Sequence, residues 1–176
     1  PLDSGSLALN GSPVEIRDYR SAMDKGMVYV SEDRQKYGLV IPMSVMDNIS
    51  FPLLRSLTNR LGLMLRRKEA AVSERYIKSL AIKTPGADFV VNNLSGGNQQ
   101  KVSVSKALAT EPEILILDEP TRGVDVGAKS EIHRIISSLA KAGKSIIMIS
   151  SDLPEILGMS DRVVVMKGGR KQGELL

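Results

Sequence analysis

Cysteine is absent from the 176 residues, which excludes disulfides and thiolate metal sites. Histidine occurs once, at His133, with no second His, Cys or clustered carboxylate at ligand spacing. It falls beside the apolar stripe of a helical pattern and reads as a surface helix residue rather than a metal ligand. Aromatic side chains are scarce, with two Phe, four Tyr and no Trp, so little surface is available for base stacking. The net charge of +4 fits a solvated surface, and no nucleic-acid partner is expected from it. No apolar run approaches the length of a membrane span, and Pro1 to Gly5 has none of the anatomy of a signal peptide. A cytoplasmic location is therefore expected. A motif is missing too: no stretch from Pro1 to Asn93 matches the phosphate-cradling loop G-x-x-x-x-G-K-[ST].

What is present reads as a single α/β domain with ordinary apolar and charged fractions, 42% and 25%. Asn10-Gly11 between Ser6–Leu9 and Val14–Ile16 is a hairpin signal, because both turn positions favour positive φ. Asp18 to Lys25 predicts a short helix stopped by Gly26, and Met27 to Val30 a buried strand delivering Glu32 at its end. Ser44 caps a helix running through Met46 to Leu54. The stretch from Leu57 to Ile82 is rich in helix formers and basic residues, with Val72, Tyr76, Ile77 and Leu80 on one face. Val126 to Leu139 predicts a helix with the stripe Ile132, Ile135, Ile136 and Leu139, ended by Gly143. Ser145 to Ile149 reads as a second buried strand, and Val163 to Met166 turns through Gly168-Gly169 into a terminal strand.

Two segments carry chemistry. Ile114-Leu115-Ile116-Leu117 reads as a short parallel strand buried on both faces, and Asp118 and Glu119 sit where it ends. Ligands of open α/β sheets bind at that edge. An aspartate there can hold Mg²⁺ through oxygen, and a glutamate can orient or deprotonate an attacking water. The competing reading is a buried strand ending in a solvated acidic turn. Upstream, Leu94-Ser95-Gly96-Gly97-Asn98-Gln99-Gln100 places an N-capping serine and two glycines before a helix from Asn98 to Leu108. Free N–H groups and the helix dipole at such a terminus favour a phosphate. An ordinary glycine turn before a capped helix is the alternative.

Taken together, the two segments resemble the signature and Walker B motifs of ATP-binding cassette (ABC) ATPases, and the resemblance covers almost the whole chain. Arg122-Gly123-Val124-Asp125 resembles the D-loop. Thr121 to Lys129 (TRGVDVGAK), Tyr29 to Arg34, and Ser150 to Glu155 followed by Gly158 to Val163 are similar to the sugar-importer branch, specifically the second ATPase half of ribose-type monosaccharide importers. The resemblance implies an α/β P-loop NTPase-like ABC core of mainly parallel sheet with flanking helices, an antiparallel edge sheet and a helical subdomain at about 44–98. Residues 1–176 would form a partial ABC ATP-binding domain without the phosphate-loop strand and helix.

The same resemblance assigns roles. ATP and Mg²⁺ are the implied ligands, with Ser95, Gly96, Gly97, Asn98, Gln99 and Asp125 at nucleotide, Glu119 and Ser151 catalytic, and Asp118 and Glu32 at the metal. Partners would be a second ATPase half, transmembrane permease subunits and, indirectly, a periplasmic sugar-binding protein, on the cytoplasmic face of the bacterial inner membrane. Two positions depart from the family pattern: Glu32 stands where most cassettes have glutamine, and Ser151 where most have histidine. In cassette dimers each ATP lies between one half's phosphate loop and the other's signature. The nearly intact signature here thus completes the partner's site, while this half's own site is slower or mainly structural. A non-hydrolytic dimerisation half and a soluble ABC ATPase outside transport are the alternatives. The latter lacks support, because it does not share the TRGVDVGAK and GMSDRV blocks.

Overall fold

The hairpin that Asn10-Gly11 predicts joins β1 (Leu7–Leu9) to β2 (Ser12–Val14), antiparallel, with φ of 49° and 77° at the two turn residues. This is a computed structural model describing residues 4–176, so the first three residues of the segment read for signal-peptide anatomy lie outside the described residues. Asp18 starts α1 (Tyr19–Met23) with a full capping box: its carboxylate accepts from Ser21 N–H at 2.7 Å, and Ser21 Oγ accepts from the Asp18 N–H at 3.0 Å. Gly26, at φ +71°, turns the chain out of that helix.

The central sheet has the order β3-β4-β5, all parallel, with β3 at Met27–Val30, β4 at Ile114–Asp118 and β5 at Ser145–Ile149. Its register aligns Val28 with Leu115 and Ile146, and Val30 with Leu117 and Met148. These six residues form one face, and it joins the main apolar core. Helix α4 (Gly96–Leu108) supplies Val102 and Val104 to that core, and α5 (Val126–Lys141) supplies Ile132 and Ile136.

The opposite face carries Tyr29, Ile116, Ile147, Ile149 and Asp118. Tyr29 is 43% exposed, Ile147 52% and Ile149 48%. The expectation that β4 and β5 are buried on both faces is thus corrected. A run of consecutive apolar residues does not reveal whether helices cover one side or two, and here the core lies on one side only.

Residues 44–94 form the helical part. Ser44 caps α2 (Val45–Ser50) reciprocally with Asp47, which then runs into a 3₁₀ turn at Phe51–Leu53. Helix α3 (Arg66–Ser79) buries Tyr76, whose hydroxyl donates to the Leu108 carbonyl at 2.7 Å and so ties α3 to the end of α4. Beyond β5, α6 (Leu153–Met159) is followed by the hairpin of β6 (Val163–Lys167) and β7 (Arg170–Leu175), turned by Gly168 and Gly169 at φ 58° and 73°.

Candidate functional site

β4 delivers Asp118 and Glu119 to the end of the sheet, and each meets a partner from a neighbouring strand. Tyr29 shares a face with Asp118, and its hydroxyl donates to Asp118 Oδ2 at 2.5 Å. That bond, aided by burial and by the Asp118 charge, holds the phenol above its ordinary pKa. Glu119 leaves the strand in the left-handed region at φ +46°, a conformation uncommon outside glycine. Its N–H donates to the Ile149 carbonyl at 2.8 Å, and its Oε1 accepts from the Ser151 N–H at 2.7 Å. Backbone and side chain of Glu119 both grip the exit of β5, so the two residues expected to act together in catalysis are adjacent.

Behind this turn lies a polar knot that sequence reasoning missed. Glu155, on α6, is 3% exposed. Its carboxylate accepts from Thr121 Oγ1 at 2.9 Å and from Ser150 Oγ at 2.6 Å, and it meets His133 Nε2 at 2.6 Å. Burial pushes this carboxyl up, but the bonds from Ser150, His133 and Thr121 outweigh it and hold the group below the ordinary carboxylate range. His133 stays partly exposed on α5 and turns its ring onto this buried carboxylate. The sequence shows only the helix start: Asp152 with Glu155 three residues on is a capping pattern, and Asp152 does cap α6 by accepting from the Glu155 N–H at 3.2 Å.

The Glu32 carboxylate pairs with Arg122 in the turn after β4, and both side chains remain partly exposed. Among the described residues, no group of three or more His, Cys, Asp or Glu could hold a metal ion.

The glycine-rich segment starts α4. Ser95 takes the N-cap position, yet its side chain caps no N–H. Its oxygen instead accepts from Asn98 Nδ2 at 2.9 Å, while Asn98 Oδ1 accepts from the Lys83 N–H at 2.8 Å. The first-turn N–H groups thus have no side-chain acceptor and remain available to an anion. Gly96 and Gly97 are required by packing within the chain. A Cβ on Gly97 would lie 2.4 Å from the Ala128 Cβ, and one on Gly96 would lie 2.8 Å from Arg34 Nη2 and 2.9 Å from the Gly123 carbonyl oxygen.

Gln99 turns the other way: it is 4% exposed, donates to the Val91 carbonyl at 3.2 Å and accepts from Gln35 Nε2 at 3.3 Å. Its side chain belongs to the core, a correction to its nucleotide assignment. One position past Asn98 on a helix points about a quarter-turn away.

Asp125 caps α5 by accepting from the Ala128 N–H at 2.9 Å. It lines a cavity of about 170 Å³ with Lys83, Ser95, Gly97, Asn98 and Glu131, between the starts of α4 and α5. Glu131 is held below its ordinary pKa chiefly by a hydrogen bond from the buried Lys101, at 2.6 Å. Arg34 links this region to the acidic turn. It lies in a single π-helical turn, Arg34–Gly38, and donates to the carbonyls of Arg122 at 2.9 Å and Gly123 at 3.3 Å. Arg34 ends the Tyr29 to Arg34 block that resembles the sugar-importer branch, but no role for it was legible there, because π turns have no strong local signature.

Comparison with known proteins bears on the family and the fold. The sequence model described as ABC transporter matches residues 1–122. The chain is 49% identical over 175 residues to a ribose import ATP-binding protein RbsA 2 of Rhizobium etli, covering 99% of this chain and 34% of the relative. It is 51% identical over 172 residues to ribose import ATP-binding protein RbsA of Clostridium perfringens (strain 13 / Type A), covering 98% and 34%. It is 53% identical over 173 residues to a putative ribose/galactose/methyl galactoside import ATP-binding protein 1 of Rhizobium etli, covering 98% and 33%. The chain therefore spans about a third of the length of the curated relatives it matches. The fold superposes on a post-hydrolysis dimer of an ATP-binding cassette bound to ADP and Pi, with TM-score 0.79 and 22% identity over 98% of this chain and 73% of the other. A nucleotide-free cassette gives TM-score 0.80 and 22% identity, over 98% and 69%. With a family match over 122 of 176 residues and an α/β core of that same architecture, the chain belongs to the ABC transporter family.

Proposed function

We propose that this chain is part of the ATP-binding subunit of a monosaccharide importer, with ribose the first candidate sugar, and that its α4 start completes the ATP site of a partner ATPase half. The observation that carries the reading is the uncapped first turn of α4, whose N–H groups and Ser95 hydroxyl are left for an anion. Relatives named as ribose import ATP-binding proteins, near 50% identical across nearly the whole chain, support the transport role and the sugar. Residues 1–176 would form the partial cassette, residues about 44–98 its helical subdomain, and permease subunits its partners at the cytoplasmic membrane face.

In this reading Ser95, Gly96, Gly97 and Asn98 bind the partner's nucleotide by backbone N–H groups and the serine hydroxyl, with Asp125 at the edge of the same cavity. Asp118 suits Mg²⁺, a hard cation commonly held by one or two carboxylates together with substrate phosphates. When bound, the ion would neutralise phosphate charge. Glu119 would orient water at this half's own site. Its Oε1 is already occupied by the Ser151 N–H, leaving one oxygen for that task, and a serine at 151 cannot supply the charge of an imidazolium. Both features support a slow own site beside a competent partner site. Phosphate release by the full-length polypeptide, reconstituted with its permease, should rise when ribose and its binding protein are supplied. A rate indifferent to ribose contradicts the importer role.

A further inference from the structure

Arg34 takes no part in the nucleotide chemistry proposed above, yet it sits between the two segments that carry that chemistry. Its Nη1 donates to the Arg122 carbonyl at 2.9 Å and its Nη2 to the Gly123 carbonyl at 3.3 Å. Those carbonyls belong to the turn that runs from Glu119, just past β4, to Asp125, which caps α5. The same Nη2 borders the first residue of α4. A Cβ on Gly96 would lie 2.8 Å from it and 2.9 Å from the Gly123 carbonyl oxygen. Helix start, guanidinium and turn are therefore packed with no room for a methyl group between them.

The chemistry of the side chain suits this place. A guanidinium presents its terminal nitrogens as a rigid planar fork, so it holds two consecutive carbonyls at once, which the point charge of a lysine does not. The segment carrying it is itself anchored. Asp33 accepts from the Lys36 N–H at 3.0 Å, the Leu39 N–H donates to the Arg34 carbonyl at 2.7 Å, and Gln35 donates to Gln99 of α4 at 3.3 Å. Both guanidinium bonds go to neutral carbonyls, and the buried Nε has no partner. Burial pushes the group below its ordinary pKa, and the charge of Asp33 offsets only part of that, although an arginine keeps its proton regardless. A charge partly withdrawn from water without an opposite charge is costly. What it holds in return is the spacing of two segments.

We propose that Arg34 is a positioning residue for the nucleotide that the α4 start receives, fixing the Glu119–Asp125 turn against Gly96 so that α4 and Asp125 border one site. Asp125 does line the same cavity as Ser95, Gly97 and Asn98. The inference rests on the reading of the α4 start as the partner's ATP site. Loss of the fork leaves every nucleotide-facing group chemically intact and changes only their spacing, and a displacement of about 1 Å can lower a rate about a hundredfold.

In the full-length transporter in vesicles, Arg34→Met should lower kcat for phosphate release about tenfold to a hundredfold. KM for ATP should stay within about twofold, the pattern of an arrangement realised only in the transition state. Arg34→Lys keeps the charge and loses the fork, so it should be slowed in the same way. Without nucleotide, the Arg122 and Ala128 amides, bonded to the Glu119 carbonyl and Asp125 Oδ1, should exchange hydrogen about tenfold faster in both variants. A side chain serving only the fold would lower the urea midpoint and leave kcat per folded molecule unchanged. That result overturns the proposal, as do parental turnover in Arg34→Lys, unchanged exchange, or a raised KM at parental kcat. If Ser95→Arg is inactive in the same assay, the α4 reading survives any of these. If Ser95→Arg turns over ATP like the parent, that reading fails and the role of Arg34 falls with it.

Discussion

The Glu119 carboxylate accepts a hydrogen bond from the Ser151 N–H at 2.7 Å, across 32 residues of sequence. That bond joins the acidic turn after β4 to the exit of β5. Glu155 backs it by holding Thr121 on one side and Ser150 on the other. The proposed water-orienting residue is therefore positioned by a buried carboxylate that itself touches no part of the nucleotide cavity.

The Glu155 knot makes stability depend on acid. Glu155 and Asp152 both sit below their ordinary pKa in the fold: Glu155 because its three bonds outweigh burial, Asp152 chiefly through the hydrogen bond from Lys129 at 2.5 Å. A depressed carboxyl contributes stability above its unfolded pKa and loses it as pH falls through the folded one. The urea midpoint should therefore fall as pH is lowered from about 4.5 towards 3. Glu155→Gln should cost about 1–3 kcal/mol at neutral pH and flatten that acid slope. A parallel curve for the variant would assign the slope to other groups.

Gly97→Ala should destabilise the chain by about 1–3 kcal/mol with no nucleotide present, because the new methyl would meet the Ala128 Cβ at 2.4 Å. Ala128→Gly clears that space. The double variant should therefore lose less stability than the sum of the singles, read as coupling in a urea double-mutant cycle. Strict additivity would mean that the helix starts shift apart at no cost.

The sheet face bearing Ile147 and Ile149 should drive self-association, since both are about half exposed beside Tyr29. Light scattering of the 176-residue chain should report dimers or larger species, and Ile147→Thr with Ile149→Thr should shift the population to monomer. A parent that is monomeric over a wide concentration range contradicts this.

Much of this was legible in the sequence. Asn10-Gly11, the Asp18 and Ser44 caps and Gly168-Gly169 act through local backbone chemistry, and each turn or helix start falls where those residues predict. The stripe from Ile132 to Leu139 packs as its period requires, with Ile132 and Ile136 innermost. What a linear pattern could not show is direction across space. Glu32 paired with Arg122, Gln99 joined to Gln35 and His133 against Glu155 all depend on partners 22 to 90 residues away. Sheet coverage failed for the same reason, because an apolar strand reads alike whether one face or both are packed.

The 176-residue chain alone should show no saturable heat when titrated with ATP and Mg²⁺ at micromolar concentrations, because it contains no G-x-x-x-x-G-K-[ST] loop to bind the β- and γ-phosphates. A micromolar dissociation constant would mean that the start of α4 binds nucleotide without a second half.

The asymmetric reading is tested most directly by phosphate release from the full-length transporter in vesicles, comparing Ser95→Arg with Glu119→Gln. Arginine at 95 fills the space before the free N–H groups of α4 and removes the serine donor, so the partner's phosphates cannot approach. In the proposed arrangement Glu119 serves only the slow site, where Ser151 stands in place of histidine. Ser95→Arg should therefore abolish most turnover, and Glu119→Gln should reduce it far less. If Glu119→Gln is as inactive as Ser95→Arg, this half hydrolyses ATP in its own right and the asymmetric assignment is wrong.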